Sequence, residues 1–99
     1  MSSYDSLAVS YDGLMADAAY LKRAEYLDRC LKKDKQGVET ILDLGCGTGT
    51  ISCLMAEKGY RVLGCDASIE MLTAAMMKSD GMENAPMFLH QSMEKLRLA

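Results

Sequence analysis

The stretch that most constrains this chain is residues 41–50, Ile-Leu-Asp-Leu-Gly-Cys-Gly-Thr-Gly-Thr. An apolar run ending in an acid leads straight into three glycines at alternating positions, Gly45, Gly47 and Gly49. Glycine has no Cβ and tolerates positive φ, so such a loop turns sharply and lets a ligand approach the main chain. A helix that begins at once presents free N–H groups, with their partial positive charge, to whatever sits in the turn. The pattern predicts a strand, a glycine loop and a helix arranged as a ligand cradle.

The rest of the chain supplies the frame for that cradle. Tyr4, Leu7, Ala8 and Tyr11 follow helical spacing, and Gly13 is expected to end that short helix. Asp17 then caps a second helix to about Lys33, with Tyr20, Ala24, Leu27 and Leu31 as its apolar stripe and cations at its end. The simplest account of these tyrosines is core packing. Val38–Leu44 reads as the first strand, apolar enough after Glu39 to be buried on both faces. Thr50–Lys58 reads as a helix with Ile51, Leu54 and Met55 inward and Gly59 at its C-terminus. Tyr60–Cys65 is a second strand ending at Asp66. Ser68 caps a further helix whose inner face is Met71, Leu72, Ala75 and Met76, closed by Gly81. Met87–Gln91, after the Asn84-Ala85-Pro86 turn, is a third strand.

Strands alternating with helices imply a parallel sheet with right-handed crossovers. The expected class is α/β, a Rossmann-like β-α-β-α-β unit over residues 38–99 behind an N-terminal helical cover over 1–35. The nine methionines fall mostly on helix and strand positions and read as core filler.

Composition narrows the partners. A net charge of −3 argues against nucleic acid, which needs a basic face. Lys32, Lys33 and Lys35 cluster, but Asp34 interrupts them, as on a solvated helix end. No stretch approaches the ~20 apolar residues of a membrane span. Met-Ser-Ser-Tyr-Asp lacks the basic and apolar segments of an export signal, so a cytoplasmic setting is expected. Cys30, Cys46, Cys53 and Cys65 show no metal-like spacing, and reduced thiols fit that setting. His90, in an apolar run, reads as structural rather than catalytic.

Asp66 closes the second strand seventeen residues after Gly49. Ligands of open α/β sheets sit beyond the carboxyl ends of the strands, so a carboxylate there is placed to accept hydrogen bonds from both hydroxyls of a ribose. Its plainer reading is a turn residue before the Ser68 helix. A Walker loop is excluded, because no lysine follows Gly49. The dinucleotide pattern is excluded because Thr50 stands where glycine is required. Asp43, two residues before the first glycine, would repel a pyrophosphate but suits a ligand carrying an ammonium and a sulfonium.

Asp43-Leu-Gly-Cys-Gly-Thr-Gly49 with Gly64-Cys-Asp-Ala-Ser-Ile-Glu-Met-Leu72 resembles the first two motifs of class I S-adenosylmethionine-dependent methyltransferases. Tyr4-x-x-Leu-Ala-x-x-Tyr-Asp12, with Met15, Asp17 and Tyr20, is similar to the lead-in of a bacterial small-molecule branch. The resemblance implies S-adenosylmethionine as cofactor and S-adenosylhomocysteine as product, with methyl transfer by in-line attack of a small-molecule acceptor. It implies that Gly45 and Gly47 pass under the methionine part, with Asp43 near its amino group; Cys46, between the glycines, is counted with them. Asp66 would hold the ribose, Ala67 would lie beside the adenine, and Tyr11 would close over the cofactor. Phe88-Leu-His-Gln-Ser-Met93 matches the third motif, but Ser92 stands where an acid is usual, leaving the Met93 N–H as the direct adenine contact. No catalytic residue and no metal ligand is assigned.

The family fold has seven strands in the order 3-2-1-4-5-7-6, and this chain stops after the third. The expected unit is therefore a truncated, cofactor-binding half. Its first strand would form an exposed apolar edge, and pairing with a second copy or a partner chain at 38–44 is expected. The alternative is a non-catalytic cofactor-binding or interaction module that recruits its partner by that edge. A nicotinamide dehydrogenase fragment is a third reading, opposed by Asp43 and Thr50.

Overall fold

The computed structural model describes residues 3–91 of the chain, and the side chains from residue 17 onward. The elements run α1 (Ser3–Lys32), β1 (Thr40–Leu44), α2 (Thr50–Glu57), β2 (Arg61–Asp66), α3 (Ile69–Ser79) and β3 (Met87–His90). The three strands form one parallel sheet in the order β1-β2-β3. This is the expected α/β unit, with strand and helix ends within a residue or two of the sequence reading.

The N-terminal cover differs. One helix of 30 residues replaces the two expected, running through Gly13 and Asp17 without a break. A glycine inside a helix costs about 1 kcal/mol relative to alanine. Leu14, Met15, Ala16, Ala18 and Ala19 follow it with strong helix propensity, so Gly13 is carried rather than obeyed. Ala24, Leu27 and Leu31 of the predicted stripe do face the core, where Ala24 joins Met55, Ala56, Tyr60 and Val62.

The β1 strand also departs from expectation. Ile41, opposite Val62, packs on the core, but Leu42 and Leu44 on the alternate side are 39% and 38% exposed. Among the described residues β1 has helices over one face and a neighbour on one edge, and such a strand cannot bury both sets of side chains. The regular strand begins at Thr40, two residues later than expected, although the Glu39 carbonyl already accepts from the Arg61 N–H at 2.8 Å.

The α2 helix buries Ser52, Cys53, Met55 and Ala56. Its far end is closed by Gly59, whose N–H donates to the Ala56 carbonyl, and by the Asn84 amide, which donates to the carbonyls of Ala56 and Tyr60 at 3.0 and 2.9 Å. In α3 the Ser68 cap holds: its Oγ accepts from the Met71 N–H at 3.2 Å. The inner face is Leu72, Ala75 and Ser79, whereas Met71 and Met76 are exposed. Small residues are what the position demands, since a Cβ on Gly49 would lie 2.8 Å from the Ala75 Cβ. Of the six methionines with described side chains, Met55 is fully buried and Met82 packs partly buried against the core, while Met71, Met76, Met77 and Met87 are exposed, which corrects the core-filler reading for those four. Among the described residues no helix is long and apolar enough to cross a membrane.

Candidate functional site

The glycine loop leaves β1 at Leu44 and enters α2 at Thr50. All three of its glycines have positive φ. The Gly49 N–H donates within the loop, to the Cys46 carbonyl at 3.0 Å, whereas the amide of Gly47, with φ of +58°, reaches outside it. That N–H donates to Asp66 Oδ2 at 2.8 Å, while the Ser68 N–H donates to Asp66 Oδ1 at 2.9 Å. The Cys46 N–H donates to the Cys65 carbonyl at 2.9 Å. The loop is thus fastened to the end of β2 by main chain and by carboxylate. The Ser68 and Gly47 donors hold the Asp66 carboxyl below the usual carboxylate range. Two of its roughly four acceptor directions are used, which leaves capacity for further donors.

Asp43, at the end of β1, is half-buried and accepts from the Ser52 hydroxyl at 2.6 Å. Ser52 is itself fully buried in the first turn of α2, so the acid has a fixed orientation. Burial, with the charges of Asp43 and Asp66 and the neighbouring Cys65, pushes the Cys46 thiol up to about 11. It stays a neutral thiol at physiological pH and is not a nucleophile.

Asp43, Gly45, Cys46 and Gly47 line a cleft of about 390 Å³ together with Tyr20, Arg23, Leu27, Thr48, Thr50 and Ile51. A Cβ built on Gly45 or Gly47 would meet no atom within 4 Å, so the glycine side of the cleft is open to a ligand. Arg23 lies 5.6 Å over the Tyr20 ring and brings a cation to a cleft that also holds the Asp43 carboxylate. A larger hollow of about 500 Å³, lined by Lys32, Lys58, Arg61 and Asn84 among others, lies at the opposite end of the strands. It contains none of the predicted site residues, and ligands of open α/β sheets bind beyond the carboxyl ends, so the smaller cleft is the candidate.

The comparisons with known proteins bear on what the cleft holds. Residues 41–99 match the methyltransferase domain family. The chain belongs to that family. A methyltransferase-named protein of Geobacillus sp. strain WCH70 is 37% identical over 95% of this chain, and the match covers 38% of that relative. An S-adenosylmethionine-dependent methyltransferase from Clostridium acetobutylicum superposes with a TM-score of 0.74 at 28% identity, over 98% of this chain and 40% of the other. The magnesium protoporphyrin IX methyltransferase of Synechocystis PCC 6803, solved with S-adenosylmethionine bound, gives 0.66 at 27% identity over 81% and 40%. This chain therefore spans about two fifths of the length of these methyltransferases.

Within the methyltransferase unit, the cleft brings together Asp43, Gly45, Cys46 and Gly47 of the predicted set. Asp66 and Ala67 lie outside its lining, joined to it through the Gly47 amide. Ala67 is exposed and its carbonyl accepts from His90 Nε2 at 2.9 Å, so the imidazole ties β3 to the β2–α3 turn. The Tyr11 side chain, Ser92 and Met93 lie outside the described residues. Sequence reasoning missed Arg23, Thr48, Thr50 and Ser52 as members of the site. Arg23 had one available signal, its position three residues after Tyr20 on the same helix face.

Proposed function

We propose that these residues form the cofactor-binding part of an S-adenosylmethionine-dependent methyltransferase that acts on a small-molecule acceptor. The observation that carries this reading is the glycine loop pinned by Asp66 beside a cleft holding Asp43 and Arg23, one carboxylate and one cation. A zwitterionic amino-acid end matches that pair: Asp43 would take the ammonium and Arg23 the carboxylate. Asp66, with its remaining acceptor capacity, would take the ribose hydroxyls, and Ala67 would lie along the adenine. Cys46 contributes main chain rather than thiol chemistry. Tyr11, Ser92 and Met93 complete the proposed set from the flanking segments.

When bound, the cofactor supplies an electrophilic methyl group on its sulfonium. The chain's own residues hold and orient it, and positioning of that kind accounts for much of the rate of a displacement. The magnesium protoporphyrin IX methyltransferase named above supports a small-molecule acceptor by analogy.

Two further parts of the reading concern setting and assembly. Four free thiols support a cytoplasmic location. The open edge of β1, with Leu42 and Leu44 exposed beside it, supports pairing with a second copy or a partner chain. A non-catalytic module is not favoured, because the matched family and relatives are methyltransferases.

The test is the affinity of Asp66→Ala for S-adenosylhomocysteine, measured where the variant remains folded. Loss of hydrogen bonds to a carboxylate predicts weakening by roughly 1.5–3 kcal/mol. Unchanged affinity refutes the ribose role.

A further inference from the structure

We infer that Lys78 is a positioning residue for the cofactor-binding loop, acting through Thr48 and Thr50. The inference rests on the cofactor reading above and extends it to a side chain on a helix that does not line the cleft. Lys78 lies in the last turn of α3. Its Nζ donates to Thr50 Oγ1 at 2.7 Å and to Thr48 Oγ1 at 3.2 Å, across 28 and 30 residues of sequence. Both threonines line the 390 Å³ cleft.

The two hydroxyls bracket Gly49, whose φ of +78° gives the loop its final turn into α2. One turn earlier on α3, Ala75 closes against the same glycine, leaving no room for a Cβ. The α3 helix therefore grips the end of the loop at two points, one steric and one polar. The steric contact limits how closely the loop approaches α3. The two hydrogen bonds fix the Thr48 and Thr50 side chains and, through them, the path of the backbone from Gly47 to Thr50.

Electrostatics separate this role from plain stabilisation. A cation in the last turn of α3 suits that helix's own dipole. The same ammonium reaches the N-terminal end of α2, where a cation is unfavourable, and α2 has neither a side-chain cap nor an acid in its first turn. The two effects oppose each other. Lys78 is exposed, so its removal leaves no cavity. The contact changes loop geometry far more than it changes the stability of the fold.

The test compares wild type, Lys78→Met, Lys78→Arg, Thr50→Val and the Lys78→Met/Thr50→Val double variant. Each is titrated with S-adenosylhomocysteine, its Tm is recorded, and amide exchange is followed at Gly47–Thr50. For Lys78→Met we expect the Kd to rise about five- to tenfold, because small misplacements of a binding loop are costly. Tm should stay within about 2 °C, as for a surface substitution. Amide exchange should quicken in the loop alone. Arginine should restore the affinity to within about twofold, and the double variant should be no weaker than the weaker single one. An unchanged Kd in Lys78→Met overturns the inference while leaving the cofactor reading intact. A Kd loss that tracks a falling Tm, or additive losses in the double variant, overturns it as well. Failure of wild type to bind S-adenosylhomocysteine overturns the cofactor reading and this inference together.

Discussion

Neutralising Asp66 should loosen the glycine loop and the β2–α3 turn at the carboxyl end of the sheet. Its two oxygens receive the Gly47 and Ser68 amides at 2.8 and 2.9 Å. Asp66→Asn keeps the size but turns one acceptor into an N–H₂ group that faces a backbone donor. A hydrogen bond to a charged group contributes about 1.5–3 kcal/mol and a neutral one about 0.5–1.5. Losing the first and weakening the second sums to roughly 2.5–4.5 kcal/mol, and exposure of the carboxylate moves the expectation to about 2. With the urea dependence of a small domain, that is a midpoint lower by roughly 1 M.

The pH dependence sharpens the test. The two amides hold the Asp66 carboxyl below its ordinary 3.8, so its contribution is complete above that pH. It is lost as pH falls through the lower, folded-state value. The gap between wild type and Asp66→Asn should be full at pH 7 and close towards pH 2, in urea unfolding followed by circular dichroism. Equal midpoints at pH 7, or a gap that persists undiminished in acid, refutes the assignment.

Three other perturbations follow from the same geometry. Gly64→Ala would put a Cβ 2.9 Å from the Phe88 ring and 3.1 Å from Cys46 Sγ. Overpacking of that kind costs about 1–3 kcal/mol, so a thermal melt should show Tm falling by at least about 5 °C. An unchanged Tm contradicts the close packing of Phe88 and Cys46 over Gly64. The Cys46 thiol, raised from 9.0 to about 11, should carry about a hundredth of the ordinary thiolate population. Mass spectrometry after brief iodoacetamide treatment at neutral pH should find exposed Cys30 labelled first, and faster labelling of Cys46 would count against its burial. Leu42→Lys, beside the open edge of β1, should shift any self-association seen by sedimentation towards monomer. A wild-type chain that is already a monodisperse monomer would contradict pairing there.

What was legible in the sequence is what local chemistry determines. The glycines at 45, 47 and 49, the Ser68 cap and the strand–helix alternation each signal through neighbours a few residues away. All of them appear in the structure where the pattern put them. Gly13 misled because a single breaker was weighed more heavily than the helix formers that follow it. Met71 and Met76 misled because the helical stripe was centred on the bulky residues. The close contact with Gly49 instead turns Ala75 inward, and Leu72 and Ser79 are buried on the same face of α3. Leu42 and Leu44 were expected to be buried because the apolar run read as a strand covered on both faces, whereas among the described residues only the Ile41 side of β1 packs on the core.

The site divides in the same way. Asp43 and Asp66 could be found from their distance to the glycines. Ser52, which orients Asp43, and Lys78, which grips Thr48 and Thr50, are joined to the loop by contacts that only the folded chain creates. Their residue types are common on helices, and nothing in the local spacing marks them out.

The central claim is that the loop, Asp43 and Asp66 hold the cofactor of a methyltransferase. Calorimetric titration of the purified protein with S-adenosylhomocysteine tests it most directly. The account predicts saturable binding at a single site, weakened by Asp66→Ala in a variant that remains folded. A folded chain that takes up no S-adenosylhomocysteine would contradict it.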